Sequence, residues 1–312
     1  MQDKPSCCVL IPYRDRPDML EACLGALAGH LPAGTVLLLV DDGSTEPQTE
    51  LDASPALKVL RHESSQGPAA ARNTGIQWCR NHGIDIVILL DSDCTPGPDF
   101  VQAHIDHHIE HEDIVCLGGA IQGVGRGVWA HIDRVASWFT SIPGAPPREV
   151  GALYHIPTTN MSFKLAKMPQ SDPLFDPALR TGEDVQFVNM LRAAGGKVMF
   201  FPTPLVSHRD REHAKDFLAH QYRWGRHTYV ARFGVKHKMW QRGLVALAFL
   251  ALLPAYACAA AAANLLPWLR VSKRYIVYGP ILFVLFLFKG IGVLEGILKP
   301  ESALFPGRGQ PL

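Results

Sequence analysis

Short, almost wholly apolar runs alternate with helix-period segments along the first part of the chain. Residues 7–12 (Cys-Cys-Val-Leu-Ile-Pro), 35–40, 57–60 and 86–90 (Ile-Val-Ile-Leu-Leu) read as strands. Strands covered by helices on both faces lose the alternation of a half-exposed strand and become continuous apolar runs. Between them, Met19, Leu20, Cys23, Leu24 and Leu27 recur at helical spacing behind Pro17, and residues 67–80 open on Gly-Pro and continue through Ala69, Ala70 and Ala71. Strands alternating with helices imply βαβ units and a doubly wound, mostly parallel sheet. Residues 115–157 are rich in glycine and proline, and read as an open, loop-dominated segment shaping a substrate cleft. Beyond them, Val185, Val188 and Leu191 continue a helix from Glu183 and Asp184, whose carboxylates suit the positive end of the helix dipole. Residues 198–201 read as a further strand that Pro202 and Pro204 end, leaving His208 on a turn.

The last quarter has a different character. Residues 243–269 and 276–298 are each long enough to cross a hydrocarbon core, which takes roughly 20 helical residues, and their length and alanine/leucine density argue against core helices of a soluble protein. Arg232, Lys236, Lys238 and Arg242 precede the first run, which puts that side in the cytoplasm. A simple hairpin then puts Arg270, Lys273 and Arg274 on the far side, against the positive-inside rule, while Lys289 and Glu295 interrupt the second run. Two arrangements answer this: a shallow or re-entrant hairpin that keeps the loop near the cytoplasmic face, or homo-oligomerisation that buries Lys289 and Glu295. The chain thus divides into an N-terminal α/β domain (1–230), a basic interfacial segment (231–242), two transmembrane or re-entrant helices (243–300) and a tail (301–312).

Composition narrows the function classes. A net charge of +1 over 312 residues speaks against a nucleic-acid binder, which must neutralise phosphates. Seven cysteines without a C-x-x-C pair read as reduced, packed thiols of a cytosolic protein. The polar residues 2–5 run directly into a strand, which reads as the absence of a signal peptide. No G-x-G-x-x-G follows the first strand, and Gly123-Val124-Gly125-Arg126-Gly127 comes too late for that role. No P-loop pattern occurs, so nicotinamide, flavin and P-loop chemistry are set aside.

The stretch with the most chemistry is Asp91-Ser92-Asp93, directly after the apolar strand 86–90. Ligands of open α/β sheets bind beyond the carboxyl ends of the strands. Mg²⁺ characteristically takes one or two carboxylates and completes its shell with water and phosphate oxygens. Two aspartates at a strand's mouth therefore suit a divalent cation held against a nucleoside diphosphate.

Together with residues 9–13, Asp41-Asp42-Gly43-Ser44, Gly67 with Ala70-Ala71-Arg72-Asn73, Gly182-Glu183-Asp184 and His208, this pattern resembles the family 2 glycosyltransferases of the GT-A fold, in the family's order over about two-thirds of the chain. The resemblance implies a GT-A mixed sheet with a C-terminal pair of membrane helices. It implies a metal-dependent, inverting enzyme that moves one sugar from a nucleotide-sugar, most naturally UDP-linked, to a membrane-associated acceptor: a lipid-linked saccharide, a glycolipid or a polyprenyl phosphate. Such an enzyme would work in envelope glycan synthesis at the inner or plasma membrane, with its catalytic domain cytoplasmic. Asp42, Pro12 and Tyr13 would receive the base, Arg14 the diphosphate, and Arg72 the base or pyrophosphate. Asp91 and Ser92 would lie along the nucleotide, with Asp91 holding the ribose or a metal-bound water. Asp93 and His208, with Asp91, would hold Mg²⁺ or Mn²⁺. Asp184 would be the general base, with Glu183 as alternative or acceptor-orienting group.

His220-Gln221-Tyr222-Arg223-Trp224 resembles the Gln-Gln/Arg-x-Arg-Trp motif of processive members, but His220 stands where the first glutamine belongs. Trp224 would stack on the acceptor and Arg223 meet the pyrophosphate; the rival reading is a cationic aromatic helix at a membrane surface. Two helices are too few for a polysaccharide channel, so single transfer is favoured over a subunit of a processive synthase. An inactive membrane scaffold would have lost acidic motifs, and none is lost.

Overall fold

A computed structural model describes residues 4–46, 57–151, 154–170, 172–179, 181–233 and 238–304. The described chain forms two compact units: Met1–Gln122, Pro146–Pro177 and Phe187–His208 make the first, and Gly123–Ala145, Ala178–Gln186 and Arg209–Leu312 the second.

The first unit is built on one mixed sheet. Its strands are β1 (Cys7–Tyr13), β2 (Thr35–Asp41), β3 (Leu57–Arg61), β4 (Ile86–Leu90), β5 (Cys94–Pro96), β6 (Ile114–Gly123), β7 (Arg148–Glu149), β8 (Asn160–Lys164) and β9 (Lys197–His208). They run in the order β3-β2-β1-β4-β8-β6-β9-β5, with β7 beside β9. The block β3-β2-β1-β4 is parallel, and β8 is antiparallel to both β4 and β6. The apolar runs of β1 and β4 are buried almost throughout. Of the helices α1 (Pro17–Leu27), α2 (Pro68–Asn81) and α3 (Phe100–Glu110), α2 packs on β1 and β2, α3 on β4 and β9, and α1 on β5. Because β1, β2 and β4 are parallel, Tyr13, Asp41 and Asp91 all leave the sheet at the same edge.

Two stretches differ from the sequence reading. Residues 115–157 are not loop-dominated: they hold the long strand β6 and the helix α4 (Gly127–Ser137). The glycines that suggested a loop mark close approach of neighbouring chain instead. A Cβ on Gly119 would lie 2.1 Å from the Pro204 carbonyl oxygen and 2.4 Å from the Asn160 amide. Likewise β9 does not end at Pro202 but runs twelve residues to His208. Proline removes one donor from the ladder, and the Asn160 side chain supplies one locally, giving its Nδ2 hydrogens to the Ala120 and Pro204 carbonyls. Its Oδ1 pairs with His104, and His104 and His108 both reach the Ser162 hydroxyl. Burial brings both imidazoles down to about 3, so they are neutral struts of the core.

The second unit is helical: α4, the start of α5 (Glu183–Ala193), α6 (Ala214–Phe233), α7 (Met239–Val271) and α8 (Gly279–Leu298). Two crossed ion pairs fix α4 to the residues after β9: Arg134 with the buried Asp210 at 2.6 Å, and Arg211 with the buried Asp133 at 3.2 Å. The late glycine run takes its meaning here, because a Cβ on Gly123 or Gly125 would strike Asp210. α7 and α8 are long and apolar enough to cross a membrane. The two charges of α8 are covered within the chain by α6. The Glu295 carboxylate accepts from the Tyr222 hydroxyl at 2.5 Å and lies 4.0 Å from Arg226, and the Lys289 ammonium sits 5.0 Å from the centre of the Trp224 ring. Lys236, expected to flank the first apolar run, lies outside the described residues.

α6 and α8 cross backbone to backbone through Gly225, Gly292 and Gly296. Gly292 and Gly296 form a G-x-x-x-G, a pattern that lets apolar helices approach closely and that the sequence reading above does not single out. A Cβ on Gly296 would lie 2.0 Å from the Arg226 carbonyl oxygen, whereas one on Gly243 of α7 meets nothing within 4 Å. Helix propensity favours alanine over glycine by about 1 kcal/mol, and overpacking costs about 1–3 kcal/mol. Gly296→Ala is therefore expected to lower the thermal unfolding midpoint in detergent, and Gly243→Ala to raise it slightly. A rise for both would show that the helices do not touch at Gly296.

Candidate active site

At the carboxyl edge of the sheet the chain leaves β1 as Tyr13-Arg14-Asp15-Arg16. Tyr13 is buried, while Arg14 points outward with its Nε 3.5 Å from Asp15. Asp15 and Arg16 both adopt positive φ, 51° and 61°, a backbone that non-glycine residues adopt at some cost and that clusters at functional sites. The Ser44 hydroxyl receives the Asp15 N–H, and the Asp15 carboxylate receives the Thr45 N–H. This ties the β1 and β2 exits together.

The Asp41-Asp42 pair is buried. Asp41 accepts from Arg61 at 2.8 Å and from the Ser44 backbone. Asp42 is engaged on both oxygens: His62 Nδ1 and Gln66 N–H on one, the Ser65 hydroxyl and Gly67 N–H on the other, all at 2.7–2.8 Å. Burial raises its carboxyl, but the bonds from Gln66, His62, Ser65 and Gly67 outweigh that and leave it below the ordinary value. A carboxylate offers about four lone-pair sites, and here four donors fill them. Asp42 thus holds the loop that enters α2. The direct bond to a nucleobase expected of it from the sequence finds its acceptor sites already taken.

Arg72, one helical turn into α2, is buried and donates to Asp91 at 2.7 Å. The other Asp91 oxygen accepts from the Thr159 hydroxyl at 2.9 Å. Arg72 and Asp91, given separate tasks by the sequence reading, are partners. Thr159 comes from the entry to β8, with no local signal to mark it. Ser92 follows in the turn that leads to β5.

Asp93 is the more open aspartate, a third exposed. The ladder of β5 against β9 sets Cys94 opposite His208, and so delivers the His208 imidazole beside the preceding residue: Nε2 lies 3.9 Å from Asp93 Oδ1. Arg16 Nη1 stands 4.0 Å from the other Asp93 oxygen. Cys94 is buried, its thiol held neutral by burial and by the nearby Asp93 and Asp91 carboxylates. The seven cysteines are all free thiols, and all but Cys258 are buried.

In the second unit, Gly182 (φ 91°) turns the chain into α5, where a Cβ would meet that of Ala231 on α6 at 2.8 Å. Glu183 is buried at the helix start, while Asp184 is half-buried and its Oδ1 accepts from the Val185 N–H at 2.7 Å. On α6, Arg223 points outward and Trp224 lies between His220 (ring centres 4.6 Å apart) and Lys289.

The chain is similar to a pre-mycofactocin glycosyltransferase of Mycobacterium tuberculosis, 28% identical over 236 residues that make up 73% of this chain and 47% of that protein. It therefore spans about half of that relative's length. Among solved structures, S. aureus TarS 1-349 superposes over 95% of this chain and 91% of its own at 18% identity with a TM-score of 0.52. GalNAc-T7, solved with UDP, GalNAc and Mn²⁺, superposes over 68% of this chain and 45% of its own, again at 18% identity and a TM-score of 0.52. These likenesses share the mixed α/β sheet of the GT-A fold, and residues 8–167, half of the chain, match the model for glycosyl transferase family 2. By that match, and by the strand-aspartate exits it contains, the chain belongs to glycosyl transferase family 2.

Proposed function

We propose that this protein is a metal-dependent, inverting glycosyltransferase that moves one sugar from a UDP-linked donor to a membrane-associated acceptor in envelope glycan synthesis. The observation that carries the reading is the placement of Asp93 and His208, 3.9 Å apart at the carboxyl edge of the sheet. Neighbouring ligands of an octahedral ion, each about 2.1 Å from it, are about 3 Å apart, so a small rotation of either side chain suits the pair to Mn²⁺ or Mg²⁺. Imidazole together with carboxylate favours Mn²⁺ of the two. Such an ion would offset the charge that grows on the departing diphosphate. Asp91, held by Arg72 and Thr159, braces the site and would meet a water of the ion's shell. Arg14 and Arg16 face the diphosphate. Pro12, Tyr13 and the loop fixed by Asp42 flank the base, with Ser92 along the nucleotide.

In the transfer, the acceptor oxygen bonds to the anomeric carbon as the carbon–oxygen bond to the diphosphate breaks, with inversion. The proton of an acceptor hydroxyl passes to Asp184, which is more open than Glu183. The acceptor is a lipid-linked saccharide, a glycolipid or a polyprenyl phosphate; the apolar α7 and α8 and the cationic, aromatic α6 support this choice. On this reading residues 1–230 are catalytic, 231–242 interfacial and 243–300 membrane-embedded, at the plasma membrane with the catalytic part cytoplasmic.

A donor screen by nucleotide release, in nanodiscs with membrane lipid extract and Mn²⁺, tests the proposal. Release of UDP from one sugar nucleotide, abolished by chelation, is the expected result. No release from any donor, with no binding of UDP in the presence of Mn²⁺, would leave a non-catalytic membrane scaffold.

A further inference from the structure

The helix α7 is attached to its own unit near both ends. Near its start, Ala246, Val245 and Phe249 pack with Tyr229 and Val230 of α6 and with Val293 and Ile297 of α8. Near its end, the buried Trp268 donates its indole N–H to the Val135 carbonyl of α4 at 3.2 Å. Twenty-two residues separate Ala246 from Trp268, or about 33 Å of helix, close to the ~30 Å of a hydrocarbon core. If α7 crossed the bilayer, its two attachments would lie at opposite faces. Yet α4 and α6 touch each other, with the Trp129 and Phe217 rings 6.0 Å apart. α4 is also locked by the Asp133–Arg211 and Arg134–Asp210 pairs. Charged groups of this kind are costly in a bilayer interior, so this bridge of polar helices cannot run through it.

The outward surface has the chemistry of one leaflet. Leu244, Leu247, Leu250, Leu252, Leu266 and Val277 are all more than half exposed. From Phe217 to Leu294 the sequence holds no aspartate or glutamate. Arg270, Lys273 and Arg274 are exposed at the turn between α7 and α8, beside the exposed Ile276 and Val277. Basic groups beside an apolar face favour anionic headgroups.

We infer that α7 and α8 form a monotopic hairpin lying in one leaflet of an anionic phospholipid bilayer, with Arg270, Lys273 and Arg274 among the headgroups on the same face as Lys238 and Arg242. This rests on the membrane reading of the proposed function, and chooses one of its two topologies. It also removes the conflict with the positive-inside rule, because no basic loop is carried across.

The test uses the full chain with Cys258, the exposed cysteine, replaced by serine. Lys238→Cys and Lys273→Cys are introduced separately, and sealed inside-out and right-side-out bacterial vesicles are treated with a charged maleimide. Both positions are expected to react in inside-out vesicles and neither in right-side-out ones. Reaction of Lys273→Cys only in right-side-out vesicles would show a spanning hairpin, overturning the inference while leaving the membrane reading intact. No reaction of Lys273→Cys from either side, with Lys238→Cys reactive, would bury the loop in the core and overturn it too. Recovery of the chain in the aqueous fraction at low salt would overturn the membrane reading itself. Arg270→Cys gives the same readout where Lys273→Cys fails to fold.

Discussion

Asp93→Ala is expected to abolish metal-dependent nucleotide binding and to lower sugar transfer by about a thousandfold or more. A divalent ion at a departing diphosphate contributes several kcal/mol to the transition state, and about 4 kcal/mol corresponds to three powers of ten. Asp93 is lightly engaged: its Oδ1 takes only the weak Cys94 thiol donor at 3.7 Å, whereas Asp41, Asp42 and Asp91 each accept at least two stronger bonds. Its side chain is a third exposed, and its neighbours are Arg16 at 4.0 Å and His208 at 3.9 Å. Ion pairs this open contribute about 0–1 kcal/mol to stability. The variant should therefore unfold at nearly the parental temperature, and lost activity cannot be assigned to lost fold. Titration with UDP in the presence and absence of Mn²⁺ separates the parts. Binding that depends on Mn²⁺ in the parent and persists unchanged in Asp93→Ala would remove Asp93 as a ligand. His208→Ala should act in the same direction with a smaller effect, since the carboxylate remains.

The parallel block was legible because physics leaves little choice there. Ile86 to Leu90 is buried at every position, and a continuous aliphatic run bounded by turn residues has few other places to go. The same holds for the aspartates that follow such runs, since parallel strands deliver them to one edge. The next stretch was harder because glycine has two meanings. In β6, Gly118 and Gly119 admit the Ile156 side chain and the Pro204 backbone, a demand set by residues distant in sequence. The prolines of β9 misled for a similar reason, since Asn160 meets the hydrogen-bonding need forty-four residues away from Pro204. Side-chain roles proved less legible than positions. Asp42 reads as a free acceptor until His62, Ser65, Gln66 and Gly67 are seen to saturate it. Lys289 and Glu295 read as misplaced charges in a lipid helix until α6 is seen to cover them. In each case the role of a polar group depends on the partner that the fold brings to it.

Asp184→Asn should lower transfer to an alcohol acceptor by about 10²–10⁴, the range that general-base catalysis contributes, while donor binding stays intact. Asparagine preserves the shape of the side chain and an oxygen that can accept from the Val185 N–H, as the Asp184 Oδ1 does at 2.7 Å. The start of α5 is therefore kept and only the basicity is lost. Glu183 is buried at the same helix start, so Glu183→Gln should affect folding or acceptor affinity more than turnover. The acceptor decides how the Asp184 result is read. A hydroxyl nucleophile must give up its proton in the transition state, whereas a polyprenyl phosphate oxygen is already ionised near neutral pH and asks little of a base. Running both variants against a glycolipid and a polyprenyl phosphate, with the identified donor, gives a split that position alone cannot. A large loss confined to the alcohol acceptor assigns proton transfer to Asp184. Equal and full activity of Asp184→Asn with the alcohol removes it as the base, and leaves the inverting step to be assisted from another group.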